Sequence, residues 1–410
     1  MEQDTLKLVI VGSIDHGKST LIGRLFHDTD SLPEGKLEEL QRASEAEGKE
    51  LEFGFIMDHL REERSRGITI DTAQAFFSTA RRDYIIIDAP GHKEFLKNMI
   101  TGASQADTAV LICSAWEGIE EQTRRHAYLL KPLGLDQIIV LYNKMDLVEY
   151  DRTRFEAVRE ELRKFLDRME VTAAMEIPIS AKLGENIAER SSTMEWYRGP
   201  CVLEALDTIQ RKATPLTKPV RFAVQDVYRV DGRPLAAGRV ESGVLEAGAT
   251  LRFLPSGENR AVRAIRKYGE DRLPRAEYGE CIGIECDDPV PERGQIGVEE
   301  GHPAQVQSRI EASLFWLSPE PLTRGDELTL RCSTQESRCT VTAINQRIDS
   351  STLEHLEKDA SKLRETEVGR VLLDSTAPLV MAPFTEVPEL GRFVLVNDGD
   401  VVAGGILTDR

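Results

Sequence analysis

The chain has 410 residues, of which 40% are hydrophobic and 30% charged, and its formal net charge is −18. This length exceeds what one hydrophobic core usually organises, so we expect two or three domains. The negative charge argues against a surface built mainly to bind DNA or other nucleic acids, although it leaves room for a local basic patch. No stretch approaches the roughly 20 apolar residues that span a bilayer, and acidic residues rather than a basic leader precede the first apolar run. We therefore expect a cytoplasmic protein with no membrane partner.

Residues 1–212 show apolar runs of strand length that alternate with amphipathic stretches of helical length. The predicted strands are Leu6–Val11, Tyr84–Asp88, Thr108–Cys113, Gln137–Tyr142 and Met175–Ile179. The predicted helices are Lys18–His27, Lys93–Thr101, Glu120–Pro132 and Arg152–Glu170. This alternation is typical of an α/β domain in which helices cover a mostly parallel sheet.

The sequence pattern changes after Gln210, where the proline-containing run "RKATPLTKPVRF" is predicted to be a linker. Beyond it, short β-branched runs alternate with glycine turns about every 8 to 12 residues, as small barrels require. A second boundary falls near "EGHPAQVQSR". The sequence thus predicts two all-β barrel domains, at 213–304 and 305–410, with one helical or irregular interruption at Thr352–Glu367.

The segment "GSIDHGKS" fits the phosphate-binding pattern GxxxxGK[ST] and lies between the first predicted strand and the first predicted helix. Its glycines allow backbone N–H groups to close around phosphates, Lys18 can reach the β and γ oxygens, and the Ser19 hydroxyl can ligate Mg²⁺. The alternative is a plain glycine turn before a helix. The predicted nucleotide-binding residues here are Gly12, Ser13, Ile14, Asp15, His16, Gly17, Lys18, Ser19 and Thr20.

The segment "NKMD" follows the fourth predicted strand and contains Asn143, Lys144 and Asp146. The Asp146 carboxylate can accept hydrogen bonds from both N1 and the N2 amino group of guanine, a donor pair that adenine lacks. A buried site built for such bonds strongly rejects a base without the donors, so the sequence predicts GTP rather than ATP. The tripeptide "SAK", Ser180, Ala181 and Lys182, follows the next strand and would present a backbone N–H to the base.

Two further segments carry candidate residues for the γ-phosphate. "DAPGH" begins with Asp88 at the carboxyl end of a strand, where it faces the nucleotide crevice and would hold Mg²⁺ through water; Gly91 would donate its N–H to the γ-phosphate. His92 would orient the attacking water, the alternative being a histidine that caps the next helix. Thr69 of "RGITI" would sense the γ-phosphate and Mg²⁺. The candidate metal ligands are thus Ser19, Thr69 and Asp88, and the candidate catalytic residues are Lys18, Thr69 and His92.

Taken together, "IDHGKST", "RGITID", "DAPGH" and "NKMD" resemble the elongation factor Tu and 1-alpha superfamily, and the resemblance covers the whole chain. It implies an α/β P-loop GTPase domain followed by two β-barrels. It also implies GTP and Mg²⁺ as cofactors. The roles given above to Lys18, Ser19, Thr69, Asp88, His92, Asn143 and Asp146 match the motifs of this superfamily.

Several stretches further resemble the large GTP-binding subunit of heterodimeric ATP sulfurylase. They include "NKMDLVEYD", "GENIAERSSTMEWYRGPCVLEAL" and, near the C-terminus, "FWLSPEPLTRGD" and "STLEHLE". The resemblance implies a GTPase subunit of sulfate adenylyltransferase. GTP hydrolysis would then drive synthesis of adenosine 5′-phosphosulfate from ATP and sulfate by a small catalytic partner subunit of the ATP-pyrophosphatase type. No second P-loop follows residue 310, which excludes a fused adenylylsulfate kinase domain in this sequence.

Two positions depart from the sulfurylase pattern, since His16 and Ala89 stand where that family usually has Asp and Thr. Both residues give the translation-factor version of their motifs. An elongation factor 1-alpha-like carrier of aminoacyl-tRNA therefore stays open as an alternative, with tRNA as its partner. A GTPase that helps to adenylylate another oxyanion or a nucleotide-like substrate, through a different small subunit, also stays open.

Overall fold

A six-stranded sheet organises the first part of the chain. The computed structural model describes residues 5–32, 53, 74–87, 106–131, 134–135, 137–210, 216–230, 232–302 and 304–407. In this sheet the strand order is β2-β3-β1-β4-β5-β6, and only the edge strand β2 is antiparallel to its neighbour. The strands are β1 (Thr5–Gly12), β2 (Gln74–Ser78), β3 (Asp83–Ile87), β4 (Thr108–Ser114), β5 (Ile138–Asn143) and β6 (Ala173–Pro178).

The helices that follow strands of this sheet are α1 (Lys18–Asp28), α2 (Glu121–Leu130), α3 (Arg152–Arg168) and α4 (Val202–Thr208). The first three match predicted helices, whereas α4 was not predicted. The predicted helix Lys93–Thr101 lies outside the described residues. Every residue of β4 and β5 is buried, as expected for parallel strands covered on both faces. The α/β prediction for this part of the chain is confirmed, and the strand ends that carry the motifs meet at one edge of the sheet.

A seven-stranded antiparallel sheet follows, in the order β10-β15-β7-β8-β14-β11-β12. An additional pairing of β10 with β11 closes it on itself into a barrel. The strands are β7 (Arg221–Val230), β8 (Arg233–Ser242), β9 (Val244–Glu246), β10 (Thr250–Leu254), β11 (Glu258–Lys267), β12 (Glu270–Leu273), β13 (Arg275–Glu277), β14 (Cys281–Cys286) and β15 (Ile296–Glu299). Strands β9 and β13 pair with each other in a separate two-stranded sheet.

A second seven-stranded sheet has the order β18-β23-β24-β16-β22-β19-β20, and the pairing of β18 with β19 closes it. The strands are β16 (Gln305–Trp316), β17 (Leu322–Thr323), β18 (Glu327–Cys332), β19 (Gln335–Asp349), β20 (His355–Lys358), β21 (Lys362–Leu363), β22 (Glu367–Met381), β23 (Arg392–Asn397) and β24 (Asp400–Leu407), with a short helix α5 (Pro388–Gly391). The predicted interruption at Thr352–Glu367 contains no helix. It forms β20 and β21 because β19 and β17 offer pairing partners there.

The chain divides into two units, Met1–Lys212 and Ala213–Arg410, and both closed sheets belong to the second. Each closed sheet has its own apolar core. A further cluster of buried residues joins them, drawn from both sheets: Ala223, Leu254, Ile296, Val298, Val380, Ala382, Val387 and Leu390. The two barrels of this unit therefore pack on each other. Within the described ranges, no helix is both long and apolar enough to cross a membrane.

Candidate functional site

The P-loop joins β1 to α1, and two of its positions require glycine. Gly17 has a φ of 88°, in the left-handed region, and a Cβ added there would lie 2.4 Å from Asn143 Nδ2. Gly12 has a φ of 153°, and its added Cβ would lie 2.3 Å from the Ile112 carbonyl oxygen. The loop can therefore lie this close to β4 and β5 only because these residues have no side chain.

Lys18 is the first residue of α1, and its side chain folds back over the loop. Its Nζ donates to the carbonyl oxygens of Gly12 at 2.8 Å and Ser13 at 2.7 Å. Ser19 and Thr20 lie in the first helical turn, whose backbone N–H groups have no intrahelical acceptors and favour an anion. This arrangement fits the predicted phosphate-binding role. The loop residues Ile14 and Asp15 are exposed.

Asn143 is the last residue of β5 and is only 3% exposed. Its Nδ2 donates to the His16 carbonyl oxygen at 2.8 Å, and its Oδ1 accepts from the backbone N–H of Ala181 at 2.9 Å. One amide side chain thus links the P-loop, the "NKMD" segment and the "SAK" segment. The structure brings these three predicted elements together.

The predicted base-recognition residues lie beside this link. Asp146 accepts a hydrogen bond from Ser180 Oγ at 2.6 Å, which orients its carboxylate. Lys144 has a left-handed φ of 63°, and its Nζ lies 2.7 Å from Glu117 Oε1. Lys182 is exposed at the edge of the site. The carboxylate and two backbone segments therefore converge where a guanine base is expected.

Four predicted site residues, Thr69, Asp88, Gly91 and His92, lie outside the described residues. Ser19 is consequently the one described member of the predicted Mg²⁺ set. Within the described part of the chain, no group of three or more His, Cys, Asp or Glu residues could hold a metal ion. The Mg²⁺ ligands and the role of His92 stay predictions.

The connection between β4 and α2, together with the first turn of α2, contributes residues that the sequence did not single out. Glu117 pairs with Lys144, Glu120 accepts a hydrogen bond from Ser13 Oγ, and Thr123 Oγ1 lies 3.5 Å from His16 Nδ1. His16 is fully buried, and burial lowers the pKa of its imidazole. The acidic run "WEGIEE" after the carboxyl end of β4 was the only indication of these contacts.

Comparison with known proteins agrees with this geometry. The model of the elongation factor Tu GTP binding domain matches residues 3–214, and the model of the GTP-eEF1A C-terminal domain-like family matches residues 309–408. The chain belongs to the elongation factor Tu and 1-alpha superfamily of GTPases. This confirms the superfamily resemblance, the GTPase activity class and the fold of a P-loop domain followed by β-barrels.

Among relatives of this superfamily, elongation factor 1-alpha of Methanopyrus kandleri is 39% identical, over 99% of this chain and 97% of that protein. Elongation factor 1-alpha of Aeropyrum pernix is also 39% identical, over 100% of this chain and 97% of that protein. A crystal structure of sup35 complexed with GDP aligns with 99% of this chain and 94% of that chain, at 23% identity and a TM-score of 0.46. The names of the two relatives favour the elongation-factor interpretation over the sulfate adenylyltransferase subunit.

Proposed function

We propose that this GTPase acts as a carrier of the elongation factor 1-alpha type, which binds aminoacyl-tRNA in its GTP state and delivers it to the ribosome. The observation that carries the proposal is the full-length similarity at 39% identity to proteins of that name. It extends over both barrels as well as the GTPase domain. A partner-binding role shared with those relatives would account for similarity outside the nucleotide site.

A groove on the barrel unit supports the proposal. It has a volume of about 860 Å³ and includes aromatic and basic side chains, among them Tyr228, Arg239, Arg266, Lys267 and Tyr268. Tyr228 is 54% exposed, and Tyr268 is completely exposed. Exposed aromatic rings stack on unpaired bases. Arg266 and Lys267 already bond to Glu285 and Glu280, and Glu241 and Glu270 also line the groove, so the rings rather than the cations suit the single-stranded end of an RNA.

The distribution of charge also supports an RNA partner on this unit. Residues 213–304 contain 13 Lys and Arg against 15 Asp and Glu, so this region is close to neutral, whereas the whole chain carries −18. Repulsion of a polyanion is therefore weakest where the groove lies.

In the GTPase domain, the residues have separate tasks under this proposal. The P-loop backbone and Lys18 bind the phosphates, Asp146 selects guanine, and the Ser19 hydroxyl at the start of α1 would ligate Mg²⁺ together with Thr69 and Asp88. The bound Mg²⁺ would neutralise phosphate charge. His92 would orient the water that attacks the γ-phosphate. GTP hydrolysis in this domain would thereby control tRNA binding by the barrel unit.

Filter binding of aminoacyl-tRNA tests the carrier role. We expect nanomolar affinity with a non-hydrolysable GTP analogue, much weaker binding with GDP, weaker binding of uncharged tRNA, and a fall in affinity with rising salt. Tyr268→Ala should weaken binding, because stacking on an aromatic ring contributes roughly 1–3 kcal/mol per base. Arg331→Ala removes an exposed cation from the other barrel and serves as the control. Equal, micromolar binding in all nucleotide states would contradict the proposal.

A second candidate is the GTPase subunit of sulfate adenylyltransferase, with a small ATP-pyrophosphatase-type subunit as partner. Two of the sulfurylase-like stretches, 143–151 and 184–206, contact each other, because Trp196 Nε1 donates to the Tyr150 carbonyl oxygen at 3.0 Å. The two stretches therefore form one local structure. The discriminating assay measures sulfate-dependent adenosine 5′-phosphosulfate and pyrophosphate formation by the native complex, with and without GTP. GTP-stimulated product together with absent tRNA binding would favour this candidate.

A further inference from the structure

A carboxylate from outside the recognised motifs lies against the P-loop. Glu120 precedes α2, and its Oε2 accepts a hydrogen bond from Ser13 Oγ. Ser13 is 5% exposed, whereas the Glu120 side chain is 45% exposed. The bond therefore ties a buried residue of the phosphate-binding loop to a residue that solvent can reach.

The neighbouring His16 is not the hydrogen-bond donor to Glu120. His16 Nε2 lies 3.5 Å from Glu120 Oε2, but His16 Nδ1 lies 3.3 Å from the Ile112 carbonyl oxygen, which can only accept a hydrogen bond. A neutral imidazole with its proton on Nδ1 has no proton on Nε2 to donate to Glu120. Burial lowers the pKa of His16, so the neutral form is favoured. The Ser13 hydroxyl is accordingly the group that binds Glu120.

The inner side of the loop is held separately. Asn143 binds the His16 carbonyl oxygen from β5, and Lys18 Nζ bonds to the carbonyl oxygens of Gly12 and Ser13. Glu120 contacts the loop from the position just before α2, so the loop is held from two directions. Gln122 Oε1, at 3.3 Å from Ser13 Oγ, is a longer second acceptor for the same hydroxyl.

We propose that Glu120 is a positioning residue for the nucleotide, which, through its hydrogen bond to Ser13, holds the loop in the curve that presents backbone N–H groups to phosphates. The inference rests on the phosphate-binding role of the P-loop and does not depend on which partner the GTPase carries. Glu120 does not touch the reacting atoms. Loss of the Glu120 side chain should shorten the time for which nucleotide stays bound. The loosened loop must then be ordered at each binding event, and this cost weakens the complex.

The test measures release of fluorescent N-methylanthraniloyl-GDP from the full chain by stopped flow. We expect Glu120→Ala to speed release about tenfold, the effect of one lost hydrogen bond to a charged group. Glu120→Gln should stay within about twofold of the parent protein, because its amide oxygen can accept the same bond. In steady-state hydrolysis, Glu120→Ala should raise KM for GTP and leave kcat nearly unchanged.

Two further variants make the test specific. Ser13→Ala should release nucleotide as fast as Glu120→Ala, and the double variant should be no faster than either, since one bond is removed in all three. Glu121→Ala is the matched control: it removes an adjacent carboxylate that pairs with Arg125 on α2. It should release nucleotide at the parental rate.

The inference is overturned if Glu120→Ala releases nucleotide at the parental rate, if Glu120→Gln is as fast as Glu120→Ala, or if the effects of Ser13→Ala and Glu120→Ala add. A parent protein that binds neither GDP nor GTP would instead overturn the nucleotide-binding role of the loop itself. The two failures are therefore distinguishable in one set of measurements.

Discussion

Asn143 Nδ2 donates a hydrogen bond to the His16 carbonyl oxygen at 2.8 Å, so the end of β5 holds the P-loop directly. The same side chain accepts from the Ala181 N–H. Asn143→Ala removes both bonds and leaves a carbonyl and an N–H unpaired in a buried place, at a cost of about 1–3 kcal/mol each. We expect GTP and GDP affinity to fall by one to two orders of magnitude, measured by isothermal titration calorimetry.

Two companion variants separate this link from general stability. Asn143→Asp keeps an acceptor for Ala181 but cannot donate to His16, so it should also lose affinity. Asn186→Ala removes another buried amide, which bonds to Pro178 and Ser191 away from the P-loop. It should lower the melting temperature and leave nucleotide affinity unchanged; a loss of affinity there as large as in Asn143→Ala would argue against a specific role for Asn143.

Asp146→Asn should change the preferred base from guanine to xanthine. The Asp146 carboxylate, oriented by Ser180 Oγ at 2.6 Å, accepts hydrogens that guanine donates, whereas an amide can donate to the C2 oxygen of xanthine. We expect affinity for GTP to fall at least a hundredfold while affinity for xanthosine triphosphate rises. Competition against a fluorescent guanine nucleotide measures both. Asp151→Asn, at the N-cap of α3, is the control and should keep the preference for GTP. Unchanged GTP affinity in Asp146→Asn would remove Asp146 from the site.

His92→Ala should leave GTP binding intact and slow hydrolysis by orders of magnitude. The expectation follows from the "DAPGH" motif, because phosphoryl transfer requires a positioned water and His92 is the residue predicted to orient it. Single-turnover hydrolysis with radioactive GTP measures the rate without contribution from product release. A parental rate would show that His92 is structural.

Much of the GTPase domain could be predicted from sequence because its elements have strong local patterns. The helix predicted at Lys18–His27 is observed at Lys18–Asp28, and the helix predicted at Arg152–Glu170 is observed at Arg152–Arg168. Both helices alternate buried and charged positions with a period of 3.6 residues. The motif residues follow buried strands, and the carboxyl ends of parallel strands share one edge of the sheet.

What the sequence did not reveal depends on contacts distant along the chain. Helix α4 has only seven residues, and its start depends on a hydrogen bond from the Cys201 N–H to Glu204. The Ser13 contact of Glu120 spans 107 positions and belongs to no motif. Strands β20 and β21 exist because β19 and β17 pair with them, and pairing of this kind leaves no short-range pattern.

A buried carboxylate at the joint between the two barrels should make their stability depend on pH. Glu241 on β8 is 7% exposed, and its Oε2 lies 3.8 Å from Arg239 Nε without a hydrogen bond from any residue that the structure describes. Burial, and then the nearby carboxylate of Glu389, raises the pKa of Glu241 to about 7. The other polar groups around the pair are Arg392, Tyr278 and Ser333.

Because the pKa of Glu241 is higher in the folded protein than its ordinary value of 4.5, the folded state holds a proton that the unfolded chain has lost. Its stabilising contribution is complete below about pH 4.5 and disappears as the pH rises through 7. We expect the free energy of unfolding of the barrel unit to fall by on the order of 2–4 kcal/mol across this window. Urea unfolding followed by Trp316 fluorescence, with Trp116 and Trp196 replaced by Phe, measures it, since Trp316 is then the only tryptophan of the chain.

Glu241→Gln should abolish this pH dependence and make the barrel unit more stable than the parent protein at pH 8, because it removes the buried negative charge that appears as Glu241 ionises. Glu246→Gln is the matched control, since Glu246 on β9 is exposed and a loss of charge there leaves the joint unaltered. If the parent protein unfolds at the same urea concentration at pH 5 and pH 8, Glu241 ionises without cost and the barrel joint does not respond to pH. A pH dependence that survives in Glu241→Gln would show that Glu241 is not the group responsible for it.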